Sequence, residues 1–215
     1  MIEIIRDKSQ TRKLYEECFD DPESFVDYYY DDKCSDNIIV ASREEDEVIS
    51  MLHLNPYVMN VCDKVIKSYY IVAVATTGTR RHEGQMSKVF DKTFDILGKQ
   101  HIPFVFLLPV DENIYRWLGF ETVCSFRHDK IMNYERIKEN FDVYCIQDEV
   151  YLRRMKKELE LQELGDGEVL PDNPVIMAKV TDLDAFSEMA GQKFDSEKSA
   201  LKWLKNKKIY ICEEV

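Results

Sequence analysis

Tyr69-Tyr70-Ile71-Val72-Ala73-Val74-Ala75-Thr76 leads through a polar stretch to Arg80-Arg81-His82-Glu83-Gly84-Gln85-Met86-Ser87, and then to Pro103-Phe104-Val105-Phe106-Leu107-Leu108-Pro109. The first run is apolar without alternation, which predicts a strand buried on both faces. Met86, Val89, Phe90, Phe94 and Leu97 recur at helical spacing, predicting an amphipathic helix from Glu83 to Lys99. The run from Pro103 to Pro109 predicts a second buried strand. Asp111-Glu112 then opens a short helix to Trp117-Leu118, closed by Gly119 as a left-handed cap, and Phe120 to Phe126 returns as a strand. Strand, loop, helix, strand, short helix, strand is the grammar of an α/β (α+β) sheet with helices on its faces.

Working outward, Ile2 to Ile5 reads as a strand, with Ser9 as the N-cap of a helix through Leu14, Tyr15 and Cys18. Asp20-Asp21-Pro22 breaks that helix and opens another through Phe25, Val26 and Tyr29. Two apolar runs, Ile38 to Ser42 and Val48 to Leu54, flank the charged tip Arg43 to Glu47 as a β-hairpin. Asn55 to Lys67 fits the end of one strand, a turn at Cys62-Asp63-Lys64 and the start of another. After about Tyr134 the composition shifts. A helix rich in charge, Val150 to Leu164, stops at Gly165-Asp166-Gly167, and Pro174 to Val180 is a strand. Helices follow from Leu183 to Met189, capped by Asp182, and from Ser196 to Lys205, capped by Ser196; Ile209 to Cys212 is a terminal strand. The expected division is residues 1–134 as the principal domain and 135–215 as a small α+β extension.

Composition narrows the function. With 215 residues, 45% hydrophobic and 33% charged, the chain is globular rather than disordered. A net charge of −12 repels phosphate backbones, which argues against a nucleic-acid partner and mildly favours a cationic one. No run approaches the ~18 apolar residues that cross a bilayer, and the early charges of Met1 to Arg6 do not resemble a signal peptide. Cytoplasmic residence without membrane attachment is the expectation. Six scattered cysteines, with no zinc-ligand spacing, fit a reducing compartment and no metal.

The chemistry sits at the joints. Free amides at the start of the predicted helix, a glycine that lets backbone approach a ligand, and the pair Arg80-Arg81 make an anion site. A capped helix with solvated arginines satisfies the same spacing. His53, on a predicted strand, is either a base or a structural histidine. Tyr28-Tyr29-Tyr30 either lines a pocket or packs the core. No Ser-His-Asp or Cys-His arrangement is readable.

Val72-Ala73-Val74-Ala75-Thr76, then Arg81-x-x-Gly84-x-Met86, then Phe104 to Pro109, then Tyr115-x-x-x-Gly119-Phe120, resembles the GNAT acyltransferase superfamily over roughly residues 1–130. Met86, where a small residue is usual, resembles the enhanced intracellular survival-like subgroup. Residues 174–186 and 209–215 look like fragments of that subgroup's sterol-carrier-like domain. The resemblance implies a splayed mixed sheet and acetyl-CoA as cosubstrate. It implies that backbone of Val74, Ala75 and Thr76 pairs with pantetheine, and that Arg81, His82, Glu83, Gly84, Gln85, Met86 and Ser87 hold the pyrophosphate. It further implies direct transfer to a small-molecule or peptide amine, with Tyr115 as general acid and Asp111 and Asn113 near pantetheine or acceptor. By the same resemblance the terminal carboxylate, on Val215, is the general base. A homo-oligomer is compatible with these features. The alternative reading is a non-catalytic CoA-binding or interaction module on the same fold.

Overall fold

The computed structural model describes residues 1–127, 133–162 and 173–213. They fall into two compact units: residues 1–55, 71–96 and 148–169 form the first, and 56–70, 97–147 and 170–215 the second.

In the first unit, strand β1 (Ile2–Ile5) is followed by a 3-10 turn at Lys8–Thr11 and by helices α1 (Arg12–Cys18) and α2 (Glu23–Asp31). The turn corrects the expected cap: Ser9 is inside it, and its amide donates to the Asp7 carboxylate at 3.2 Å. Strands β2 (Ile38–Glu44) and β3 (Glu47–Val61) form the predicted antiparallel hairpin, with Ile39 opposite His53, and β1 pairs with β2 on its other edge. Val61 is followed by Cys62 and Asp63, at φ 49° and 66°, the positive pair that a two-residue hairpin turn needs. Strand β4 (Lys64–Thr76) therefore begins five residues earlier than the apolar run that announced it.

Helix α3 (Gln85–Lys99) starts two residues later than its periodicity predicts, because His82 and Gly84 are left-handed, at φ 66° and 72°. Its buried stripe is Val89, Phe90, Thr93, Ile96 and Leu97, while Met86 and Phe94 are only partly buried. Thr93 fits because its hydroxyl donates to the Val89 carbonyl at 2.8 Å, one turn back.

The second unit holds strand β5 (Phe104–Leu107), helix α4 (Asn113–Arg116), strand β6 (Glu121–Ser125), helix α5 (Tyr134–Asn140) and strand β7 (Val143–Cys145). Helix α6 (Glu149–Gln162) belongs to the first unit, where Glu158 accepts from Lys33 at 2.7 Å and from the Tyr28 hydroxyl at 3.1 Å. Strand β8 (Val175–Val180), helices α7 (Leu183–Ala190) and α8 (Glu197–Lys205) and strand β9 (Ile209–Tyr210) complete the second. Asp182 and Ser196 cap α7 and α8 as predicted. The terminal strand is shorter than expected, and α5 and β7 were not anticipated. Gly165 to Gly167 lie outside the described residues.

In sheet order β5 is parallel to β4, and β8 lies between β5 and β6, antiparallel to both. Strand β7 pairs with β3 and with β9. The result is a mixed α/β sheet flanked by helices.

Candidate active site

In the first unit, the end of β4 and the entry to α3 are shaped by three left-handed residues. Ala73, buried inside β4, has φ 50°. An alanine there costs roughly 1–2 kcal/mol and bends a strand as a bulge does. Strain of this kind persists where the surroundings enforce it, often at ligand sites. Beyond the bend, two carbonyls are held by side chains. Ala75 O accepts from the Ser50 hydroxyl at 3.1 Å, and Thr76 O accepts from Arg81 Nε at 3.2 Å. Ser50 also meets the Thr76 hydroxyl at 2.8 Å.

The chain then leaves the strand through a clamp. Glu17 on α1 accepts from the Gly78 amide at 2.9 Å and from the Thr77 hydroxyl at 2.8 Å. The backbone bond from Gly78 and the hydroxyl bond from Thr77 hold its carboxyl below the usual range. Arg81 is extended, and left-handed His82 and Gly84 turn the chain into α3. A Cβ added at Gly84 would meet nothing within 4 Å, so open space lies beside the backbone. The first amides of α3 have no partner within the helix. The Gln85 side chain is steadied by Ser42, whose hydroxyl donates to it at 3.2 Å.

The two arginines are not equivalent. Arg80 is bonded to Glu44 and lies 3.4 Å from Glu83, so its charge is already matched. Arg81 donates through Nε to the Thr76 carbonyl and lies near Cys18 and Glu17. A cavity of about 670 Å³ opens beside this turn, lined by Lys13, Arg80 and five carboxylates, Glu17 and Glu44 to Glu47 among them. That lining suits a cation; the anion-seeking groups are the backbone amides.

In the second unit, β5 leads to a tighter joint. Asp111 Oδ1 accepts from the Asn113 amide at 2.9 Å and from its side chain at 3.0 Å, starting α4. Glu112 accepts from Arg116 at 2.7 Å and also from Thr122. Gly119, at φ 87°, closes the segment, and a Cβ there would come within 2.9 Å of Lys179 Nζ. Tyr115 is partly buried with its ring edge-on to Phe120, at 6.0 Å between centroids. Burial pushes its phenol up to about 12. The hydroxyl therefore stays protonated through neutral pH.

His53 is fully buried, and burial, with the Lys8 ammonium adding to it, lowers its pKa to about 3. It is not a base. Tyr29 is likewise fully buried and Tyr28 nearly so, which places those rings in the core. Glu213 is 7% exposed rather than an open tail, and Val215 lies outside the described residues. Ser50, Glu17 and the bend at Ala73 escaped sequence reading, since their partners stand 25 to 61 residues away and nothing local marks them. Among the described residues no helix is long and apolar enough to cross a membrane.

A family model described as an acetyltransferase (GNAT) domain matches residues 5–123, more than half of the chain. No curated protein matches. A solved probable N-acyltransferase from Enterococcus faecalis is 18% identical with a TM-score of 0.55, covering 58% of this chain and 33% of its own. The chain thus spans about a third of the length of that protein. A putative GNAT acetyltransferase from Desulfovibrio desulfuricans is 10% identical with a TM-score of 0.53, covering 84% of this chain and 98% of its own. The ribosomal-protein-S18-alanine N-acetyltransferase of Escherichia coli, also 10% identical at a TM-score of 0.53, covers 85% and 94%. These likenesses agree on the fold, and the family match, which runs from β1 into β6, carries the assignment: the chain belongs to the GNAT acetyltransferase family.

Proposed function

We propose that this protein is an acetyl-CoA-dependent N-acetyltransferase that transfers the acetyl group directly to an amine. The observation that carries the reading is the open, amide-lined turn from Arg81 to Ser87, with left-handed His82 and Gly84, in a chain of this family. Amides of His82 to Ser87 hold the pyrophosphate, and Arg81 adds charge that Arg80 does not. Along β4 the pantetheine lies against Val74, Ala75 and Thr76. Because the carbonyls of Ala75 and Thr76 already accept from Ser50 and Arg81, Val74 is the principal backbone contact. Asp111 and Asn113 fix the start of α4 and so the setting of Tyr115.

In the transfer the amine nitrogen bonds to the acetyl carbon as the carbon–sulfur bond breaks; the sulfur leaves as the thiolate of CoA, and the proton that the nitrogen loses passes to solvent water. Tyr115 is the group we assign to the departing sulfur. A phenol near 12 is a weaker acid than an ordinary thiol at ~8.5, so Tyr115 works by hydrogen-bonding the thiolate and keeps its own proton. Residues 1–134 carry this chemistry, while 135–215 act as an extension that completes the sheet through β8. Gly84-Gln85-Met86 supports a place beside the enhanced intracellular survival-like subgroup. The acidic cavity and a net charge of −12 favour a positively charged small-molecule or peptide amine.

Release of free thiol from acetyl-CoA in the presence of a panel of primary amines tests the reading. Amine-dependent release supports it. CoA binding without release on any amine makes the protein a binding module, and no CoA binding removes the proposal altogether.

A further inference from the structure

A polar cluster in the first unit has no part in the chemistry above. His53 and Asn55 lie two apart on β3 and so face the same side of the sheet; Ile39, opposite His53, shares that side, and Asn37 precedes it by two residues in extended backbone. From α2, Tyr29 brings its hydroxyl to 2.7 Å from His53 Nδ1, and Asn37 Nδ2 donates to that hydroxyl at 3.4 Å. The Tyr29 and His53 rings stack at 5.7 Å. All four residues are more than nine-tenths buried, with Asn37 the most exposed at 6%. Yet His53 Nε2, both amide atoms of Asn55 and the Asn37 carbonyl oxygen have no hydrogen-bond partner among the described residues. One orphaned atom is an accident of packing; four on three neighbouring side chains of one sheet face mark a polar recess, because a buried donor or acceptor left unmade costs more than a formed bond returns.

The chemistry of the recess can be read further. Asn37 donates to the Tyr29 hydroxyl, so of the two partners of that hydroxyl only His53 Nδ1 can take its proton, and we assign it there. That assigns the imidazole proton to Nε2. Nε2 and the Asn55 amide nitrogen then donate, while the Asn55 and Asn37 oxygens accept. None of the four side chains is charged, and the Lys8 ammonium, bonded to the carbonyls of Cys34 and Ser35, acts on His53 electrostatically and opposes a cation. What fits is a neutral oxygen that donates and accepts at once.

We propose that Asn37, His53 and Asn55 form a buried binding site for neutral hydroxyl-type oxygens, filled by ordered water or by the hydroxyl of a bound small molecule. The site does not depend on acetyl transfer. High-resolution crystal structures of the full chain, grown alone, with ethanolamine and with ethylamine, test it. Oxygen density within hydrogen-bond distance of His53 Nε2 and the Asn55 side chain in all three crystals establishes water as the occupant. Density only with ethanolamine establishes a hydroxyl ligand. Absence of any such oxygen in all three, or side chains turned to bond one another, overturns the site. Nitrogen NMR of the unmodified protein gives an independent readout. A neutral His53 with its proton on Nε2 from pH 5 to 8 is expected, and a proton on Nδ1 overturns the assignment. In Asn55→Leu, if it folds, the Nε2 resonance shifts while the Tyr29 bond to Nδ1 persists.

Discussion

The exits of β4 and β5 are both strand-to-helix joints, and they are built on opposite plans. After β4, two left-handed residues open the backbone, leave space beside Gly84 and feed a 15-residue helix whose first amides face outward. After β5, Asp111 and Glu112 tie the joint to Asn113, Arg116 and Thr122, and the helix is four residues long. The first joint is open beside Gly84. The second satisfies its donors internally and presents one phenol. The proposed function gives the one an affinity role and the other a turnover role.

The largest effect expected is on turnover. Tyr115→Phe removes a single hydroxyl from the closed joint, and kcat should fall by ~10²–10⁴ while CoA affinity stays within about twofold. Full activity in that variant, measured by thiol release, would return Tyr115 to packing. Gly84→Asp strikes the open joint instead, placing a side chain and a negative charge at φ 72° beside the amides. CoA affinity by calorimetry should weaken by about tenfold or more, roughly 1.4 kcal/mol, and unchanged affinity would reject the turn as the pyrophosphate site.

Acidity offers a third separation. Burial raises the Tyr115 phenol to about 12 from an ordinary ~10, so the protonated form is favoured in the folded state. Its contribution to stability is complete below about pH 10 and is lost as pH rises through 12. Turnover should therefore show no alkaline limb from Tyr115 between pH 7 and about 10. A limb in that range that disappears in Tyr115→Phe would contradict the environment described. The smallest effect belongs to Ser50→Ala, which frees the Ala75 carbonyl and the Thr76 hydroxyl. About 1 kcal/mol of stability should be lost, seen as a Tm lower by a few degrees, with CoA affinity within about threefold. A tenfold loss of affinity would mean that Ser50 holds the pantetheine strand in register.

Much of this was legible along the chain. The apolar run of β4, the stripe of α3 and the caps Asp182 and Ser196 are local signals, and the structure places elements at each. The joints were recognisable as words, Arg81 to Met86 and Tyr115 to Phe120. What could not be read is where hydrogen bonds close over long separations. Ser50 on the Ala75 carbonyl, Glu17 on Gly78 and Glu44 on Arg80 join residues 25, 61 and 36 apart, and each is an ordinary residue in its own stretch. The partial neutralisation of Arg80 is of this kind: two adjacent arginines look alike in sequence and differ only by which carboxylate folds over them. Ala73 is invisible for another reason. A left-handed alanine is imposed by its surroundings against its own preference, so propensity points the wrong way.

The place of β8 has a consequence for how the protein is made. β5 ends at Leu107 and β6 at Ser125, yet the strand that joins them in the sheet begins at Val175, about fifty residues beyond β6. A ribosome adding ~5–20 residues each second leaves both edges unpaired for several seconds after they emerge. Such distant pairing raises the contact order and slows folding, and open apolar edges in that interval are templates for wrong partners. Nascent chains halted before Val175 should accordingly be held by chaperones, whereas those released beyond Val180 should not.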